Sequence, residues 1–409
     1  MGVIINIDQA LELRSDYNIL REPLNEMIRN KQEAWEKENP IDFLFNRSSI
    51  STFQQTYTSS IGFDKAFSET GDYAIGHIFN TAEGFSATYR TRTFQGAFII
   101  TQQTLEDREV GRAKDDASAF VRRWHGDIVE YCMAAVSAGF GAEVDWGDEN
   151  NGGVSTLLLN SADTVDGKIT SAKNPLFTSK HTIIRRKNMT DAQITNAMQS
   201  NCFYADIDIN GEDPARLSKL ADVIYQVKVY MENLKNDNNK YAGVDGAKSF
   251  VMANDAHLKA AMEAVLSKMD YRDFGYQQGA NPAYQAGVAK TTPYLNDIPQ
   301  TANGRGFFIV DKTYAAENHG LELTERIPFT LDVLEEKRPK GIIYQGRQRF
   351  DVNVADWRSI AYVYLGKPAG SSGAWDDITH FTQIVPQATV VKPVTIVGTV
   401  ETTTTPTGG

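Results

Sequence analysis

Cysteine is nearly absent: the 409 residues hold only Cys132 and Cys202. The two stand far apart without CxxC spacing, which argues against a disulfide framework and a thiolate metal site and reads as two buried thiols in a reducing compartment. Long apolar runs are missing as well. No stretch of about eighteen apolar residues could cross a bilayer, and Met1 to Asn6 is too short and uncharged for an export signal, so neither membrane nor secretion is expected. Positive charge is in deficit, since 41 lysines and arginines against 52 aspartates and glutamates leave a net charge of −11. That balance speaks against broad neutralisation of phosphate. Histidine is scarce and scattered: His77, His125, His181, His257, His319 and His380 show no ligand spacing and read as packed or surface residues. The sequence also lacks a GxSxG elbow, a GxxxxGK[ST] phosphate loop, an HExxH helix and a GxGxxG turn, so no enzyme activity and no cofactor are expected.

What is present is ordinary globular balance, 41% hydrophobic and 23% charged, in a chain long enough for two packed lobes or one elaborated domain. Asp8 to Lys37 mixes Leu11, Leu13, Ile19, Leu20, Leu24 and Ile28 with many charges and reads as two amphipathic helices on an arm, parted near Pro23. From Asp72 to Thr101 the pattern is that of a long hairpin. Tyr73, Ile75, His77 and Phe79 alternate on one run, Asn80 to Gly84 turns, and Phe85, Ala87, Tyr89, Thr91 and Thr93 alternate on the return. Ser86, Thr88, Arg90 and Arg92 occupy the other face, so such a hairpin is marginal alone and belongs across a neighbouring surface.

A long helix follows. Val110, Ala113, Ala117, Phe120, Trp124, Ile128, Tyr131 and Ala135 recur at spacings of three and four, with Thr104 as N-cap and Gly139 and Gly141 as stops. Val110 to Gly139 would span about 45 Å. Val154 to Leu159 and Tyr204 to Ile209 read as strands. Asp213-Pro214 is expected to open a second helix with the stripe Leu217, Leu220, Ile224, Val227, Met231 and Leu234. Asn254 or Asp255 caps a third through Met262, Val265 and Leu266. Further strands are expected at Phe250 to Met252, Phe307 to Val310, Ile342 to Tyr344, Phe350 to Val354 and Ile360 to Leu365. Val385 to Gly409, rich in valine and threonine, reads as a surface strap or an unstructured end. One metal fragment stands out: Asp206, Asp208 and Asn210 before Gly211 match the first half of a calcium loop. Leu217 falls where the bidentate glutamate belongs, so a strand ending in a turn is the simpler reading.

The order of arm, two-stranded loop, long helix, mixed lobe and strand-rich return resembles the tailed-bacteriophage major capsid proteins of the Hong Kong 97 fold over roughly residues 40 to 380. Three phrases carry the likeness further. Phe98 to Glu106 (FIITQQTLE) resembles the junction of extended loop and spine helix. Asn174 to His181 (NPLFTSKH), after Gly167-Lys168, is similar to an LF…H stretch of some such shells. Arg347 to Asp351 (RQRFD) with Asp356-Trp357-Arg358 resembles the return strands of a peripheral domain.

The resemblance implies an α+β capsid fold: arm 1–50, extended loop 72–101, spine helix and peripheral elements 102–212, axial core 213–301, peripheral return strands 306–380 and tail 381–409. It implies self-assembly into pentamers and hexamers of an icosahedral head shell in the virion, assembled in the host cytoplasm. Double-stranded DNA would be enclosed without sequence-specific binding, with separate scaffolding, portal and decoration proteins as possible partners. Some relatives cross-link through a lysine on the extended loop, but 72–101 has none, so noncovalent overlap is expected, with Phe85, Tyr89, Arg90 and Arg92 as inter-subunit contact candidates. About forty residues precede the body, too few for a long fused scaffolding domain. A nanocompartment shell of the same fold is the nearest alternative; a motif-poor cytoplasmic enzyme and a tail-tube subunit are the others.

Overall fold

The stripe of small and aromatic residues from Ala113 to Ala135 does form one helix, and that helix organises the rest. In the computed structural model, residues 26–31, 33–35, 39–63, 81–101, 110–141, 144–146, 154–156, 164–165, 168–169, 175–181, 190, 192, 198–211, 215–236, 240–270, 280–337, 340–370 and 374–386 are described. The strands in chain order are β1 (Asn46–Ser49), β2 (Gln54–Phe63), β3 (Thr81–Arg90), β4 (Arg92–Thr101), β5 (Val144–Trp146), β6 (Val154–Thr156), β7 (Thr164–Val165), β8 (Lys168–Ile169), β9 (Cys202–Ala205), β10 (Lys248–Ala253), β11 (Gly287–Thr292), β12 (Gly306–Asp311), β13 (Leu321–Lys337), β14 (Lys340–Val354), β15 (Ile360–Leu365) and β16 (Thr382–Gln383). The main helices are α1 (Val110–Ala138), α2 (Arg216–Glu232), α3 (Ala256–Ser267) and α4 (Lys312–Glu317). The architecture is α+β.

Two sheets carry the body. One has the order β1-β13-β14-β4, the other β11-β10-β12-β15-β9-β16. β1 runs parallel to β13, whereas β13, β14 and β4 are antiparallel. α1 spans both sheets. Gly96 on β4 lies opposite Gly346 on β14, and a Cβ at Gly96 would meet Trp124 at 3.2 Å while one at Gly346 would meet Phe329 at 2.8 Å and Phe120 at 3.1 Å. The paired glycines therefore leave a floor for the aromatic ridge of α1. Further along, Phe140 stacks on Phe177 at 4.5 Å and meets Tyr362 of β15 edge-on at 4.8 Å. Gly141, in the left-handed region at φ 92°, then ends the helix as a C-terminal glycine does.

Three side chains fix α1 in register. The Trp124 indole donates to Gln348 Oε1 at 3.1 Å, the Tyr131 hydroxyl to Asp351 Oδ1 at 2.7 Å, and Ser137 Oγ to Gln300 Oε1 at 2.9 Å. All three are buried, where losing a partner costs about 1–3 kcal/mol. The helical residues 26–31 and 33–35 lie against α1 as well: Ile28 joins Ala113, Ala117 and Val121 in one cluster, and Trp35 stacks on His125 at 4.1 Å.

In the six-stranded sheet, β12 is buried along its whole length. Lys248 and Asp311, both with fully buried side chains, pair at 2.7 Å. The ammonium also donates to the carbonyls of Val244 and Gly246, and Asp311 Oδ1 accepts from the Tyr314 amide to cap α4. Every proton of the cation is therefore used, which a buried charge requires. Cys132 and Cys202 are free and buried, and burial pushes both thiols up.

Several expectations need correction. The strand Thr81–Arg90 pairs with Gln54–Phe63; the run Tyr73 to Phe79, expected as its partner, lies outside the described residues. Its continuation breaks at Thr91 and enters the four-stranded sheet as β4. The boundary at residue 50 does not close an arm, because Ile41, Leu44 and Phe45 are core and β1 is a sheet strand. The boundary between 301 and 306 divides one sheet, since β12 and β15 pair with β10 and β9. Ile342 to Tyr344 and Phe350 to Val354 are one strand, β14; the glycine and arginines between them look like a turn only until the neighbouring strands are known. β13 was not anticipated, because Pro328 interrupts its pattern, and the register shifts between Glu325 and Thr330 accommodate it as bulges do. α2 begins at Arg216 behind Ala215, which makes no side-chain cap; Asp213-Pro214, Thr104 and most of the arm and tail lie outside the described residues. The Asp255 cap of α3 is as expected, accepting from the Leu258 amide.

Substituting Gly346→Val should drive a side chain into Phe329 and Phe120 and lower stability by about 1–3 kcal/mol, measured by urea denaturation; an unchanged midpoint would contradict the glycine floor. Burial lowers the pKa of His125 to about 4 and of His181, stacked on Trp357 at 3.8 Å, to about 3. Folded values below the unfolded one mean that stability is complete above about pH 6.5 and is lost as pH falls toward the folded values. Each histidine should contribute a slope of up to about 1.4 kcal/mol per pH unit, and His125→Phe should remove its share from the acid limb.

Candidate functional site

The part of the chain least explained by its own core is the ribbon of β2 and β3. It forms a separate two-stranded sheet, whereas the flanking strands β1 and β4 are built into the body. The ribbon leaves the four-stranded sheet at two points: through residues 50–53, where the Ile50 amide donates to Glu325 O, and at Thr91, whose amide donates to Phe53 O.

Its root is an aromatic and polar seat. The Tyr57 ring lies 4.7 Å from Tyr89 and 4.0 Å from the His319 ring. Tyr89 is buried at 1% exposure, and its hydroxyl reaches the His319 carbonyl at 3.5 Å. That carbonyl also accepts from the Ala355 and Asp356 amides, which holds His319 at φ 51°, an unusual backbone state for a non-glycine residue. His319 Nδ1 lies 3.2 Å from Glu322 Oε1, and Ser48 Oγ donates to Glu322 Oε2 at 3.2 Å. Burial raises the Glu322 carboxyl pKa, opposed by His319 and by hydrogen bonds from His319 and Ser48. Tyr57 and Tyr89 are also raised, chiefly by burial and secondarily by the Glu322 charge.

The residues singled out as contact candidates fall in different places. Arg90 is exposed, and its Nε donates to Gln54 Oε1 at 3.1 Å across the ribbon. Arg92 pairs at 2.9 Å with Asp351 of β14, so it stitches two strands of this chain. Tyr89 is spent on the ribbon root, which removes it from the exposed contacts. Phe85 lies in β3, where its side chain is outside the described residues. For the calcium fragment, Asp208 Oδ1 accepts the amides of Asn210 and Gly211, both at 3.0 Å, an Asx turn that commits one oxygen to the backbone. Asp206, Asp208 and Asn210 are exposed. No group of three or more histidine, cysteine, aspartate or glutamate side chains converges among the described residues.

A cleft of about 450 Å³ lies between α1 and β4, lined by Phe94, Trp124, Ile128, Tyr131 and Phe350, with Arg123, Asp127 and Glu130 among its polar residues. Burial raises the Asp127 carboxyl, with Arg123 opposing and Glu130 adding. The lining holds no histidine, cysteine or serine that could serve with these carboxylates as a nucleophile or nitrogen base.

Tyr57, His319, Glu322 and Ser48 escaped the sequence reading. They come from two distant stretches, 48–57 and 319–322, and the only local signal is the His319-Gly320 turn. Removing the seat by Tyr57→Ala or His319→Ala should speed amide hydrogen exchange along β2 and β3 by about tenfold or more, leaving β10 and β12 unchanged; equal exchange in both variants and the parent chain would show that the seat does not hold the ribbon.

No family model and no curated protein matches the chain. Among solved structures it is similar to the satellite phage P4 procapsid including size determination (Sid) protein, at 13% identity over 82% of this chain and 90% of that one, with a TM-score of 0.40. It is similar to a virus-like particle from Pyrococcus furiosus, at 8% identity over 84% and 97%, TM-score 0.40. It is also similar to the capsid of Myoviridae phage XM1, at 10% identity over 79% and 89%, TM-score 0.40.

Proposed function

We propose that this chain is a shell subunit of the Hong Kong 97 capsid type, the major capsid protein of a tailed bacteriophage, assembling into pentamers and hexamers around double-stranded DNA. The observation that carries the reading is the ribbon. Two ten-residue strands run out from a body in which the four-stranded sheet, the six-stranded sheet and the 29-residue α1 are tightly keyed. A two-stranded ribbon is marginal alone in water, so a seat at its root with no third strand along its length among the described residues suits an element completed by a neighbouring copy. Repetition of such contacts around rings makes each one sufficient while individually weak.

The acidic chain suits a wall that encloses DNA without gripping it, because close phosphate binding would need arginine and lysine gathered on one face. Scaffolding, portal and decoration proteins would be its partners during assembly. The nanocompartment reading shares every feature of this fold and differs only in cargo.

Expressed alone and with a candidate scaffolding protein, the chain should give rings or closed shells in size exclusion and negative-stain electron microscopy, with DNA inside particles from infected cells. A small monodisperse oligomer under all conditions would overturn the shell reading, and protein cargo in place of DNA would move it to the nanocompartment.

A further inference from the structure

The face of the four-stranded sheet turned away from α1 carries an unusual pair. Gly346, Gln348 and Phe350 of β14 face α1, as their contacts with Phe120, Trp124 and Tyr131 show, so alternation places Arg347 and Arg349 on the opposite face. Arg347 sits between Thr330 of β13 and Gln95 of β4, and Arg349 between Ile327 and Thr93. No carboxylate stands directly across from either. The Nε atoms of both are buried and have no hydrogen-bond partner among the described residues. The Arg349 guanidinium lies 5.8 Å from the ring of Phe53, itself 53% exposed. Asp332, exposed and two residues beyond Thr330, makes no ion pair with either arginine among the described residues.

Two half-buried guanidinium groups two residues apart on one face of the central strand β14, with no carboxylate directly across from them, suit a carboxylate partner. The planar fork of arginine binds that group in bidentate fashion through its outer nitrogens. We infer that Arg347 and Arg349 form a contact site for acidic side chains of a second copy of this chain. Charge favours that occupant: with a net charge of −11 every copy offers surplus carboxylate, whereas two arginines on an acidic chain are a poor footing for DNA. The assignment rests on the shell reading and names a contact separate from the ribbon.

The test compares the full-length chain with R347Q/R349Q and R347K/R349K by the concentration at which rings or shells first form, with circular dichroism and thermal midpoint as checks on folding. The glutamine pair should raise that concentration about tenfold or more, and the lysine pair, which keeps charge but loses the fork, should fall between it and the parent. Should the glutamine pair fail to fold, added salt serves instead: it should raise the threshold for the parent chain and for the lysine pair alike, since both keep the charge. Equal thresholds in the three chains, or a parent threshold that salt leaves unmoved, would overturn the assignment. Loss of double-stranded DNA binding with assembly unchanged would overturn it in favour of a nucleic-acid contact. A parent chain that never assembles would overturn the shell reading itself, and this contact with it.

Discussion

The fit of α1 against the paired glycines Gly96 and Gly346 is the constraint on which the rest of the structure depends. Without a side chain at those two positions, Phe120 and Trp124 settle close to β4 and β14, and close approach brings the Trp124 indole within reach of Gln348. The same helix continues to Tyr131 and Ser137, whose hydroxyls find Asp351 and Gln300, and ends with Phe140 against Phe177 and Tyr362. One rigid rod thus sets the spacing of two sheets. Rods of this kind transmit position well because packed interiors resist deformation.

Rigidity on one side defines compliance on the other. Arg92 ties the start of β4 to Asp351, which is also the acceptor of Tyr131, so the inner edge of the ribbon is anchored where α1 is anchored. Beyond Thr91 the ribbon depends on Tyr57, Tyr89, His319, Glu322 and Ser48. These groups grip its root, and on the proposed shell reading its length would be completed by a neighbouring copy.

Much of this was legible in the sequence, and the reasons separate along one line. α1 was visible because its buried stripe is local and repeats at helical spacing, and α3 because Asp255 caps it three residues from Leu258. β12 and β15 were visible as short apolar runs. What escaped depended on pairing between distant segments. β2 carries Gln54, Gln55, Thr56, Thr58 and Ser60, too polar to announce a strand until β3 is beside it. β13 hides behind Pro328 and its charges. β14 appears broken at Gly346 because the reason for that glycine, the ring of Phe120, lies more than two hundred residues earlier. The seat of the ribbon was invisible for the same cause, since Tyr57 has no local mark of its role and the His319-Gly320 turn does not by itself point to a partner.

On the proposed reading the ribbon is the yielding element, completed by a neighbouring copy, while α1 and the sheets it joins are already complete in the single subunit. Amide hydrogen exchange measured on the same chain before and after assembly tests this most directly. The expected result is slowing concentrated in Gln54–Phe63 and Thr81–Arg90, with α1, β10 and β12 unchanged. Ribbon exchange that is the same in free and assembled chains, or slowing spread evenly over α1 and both sheets, would contradict it.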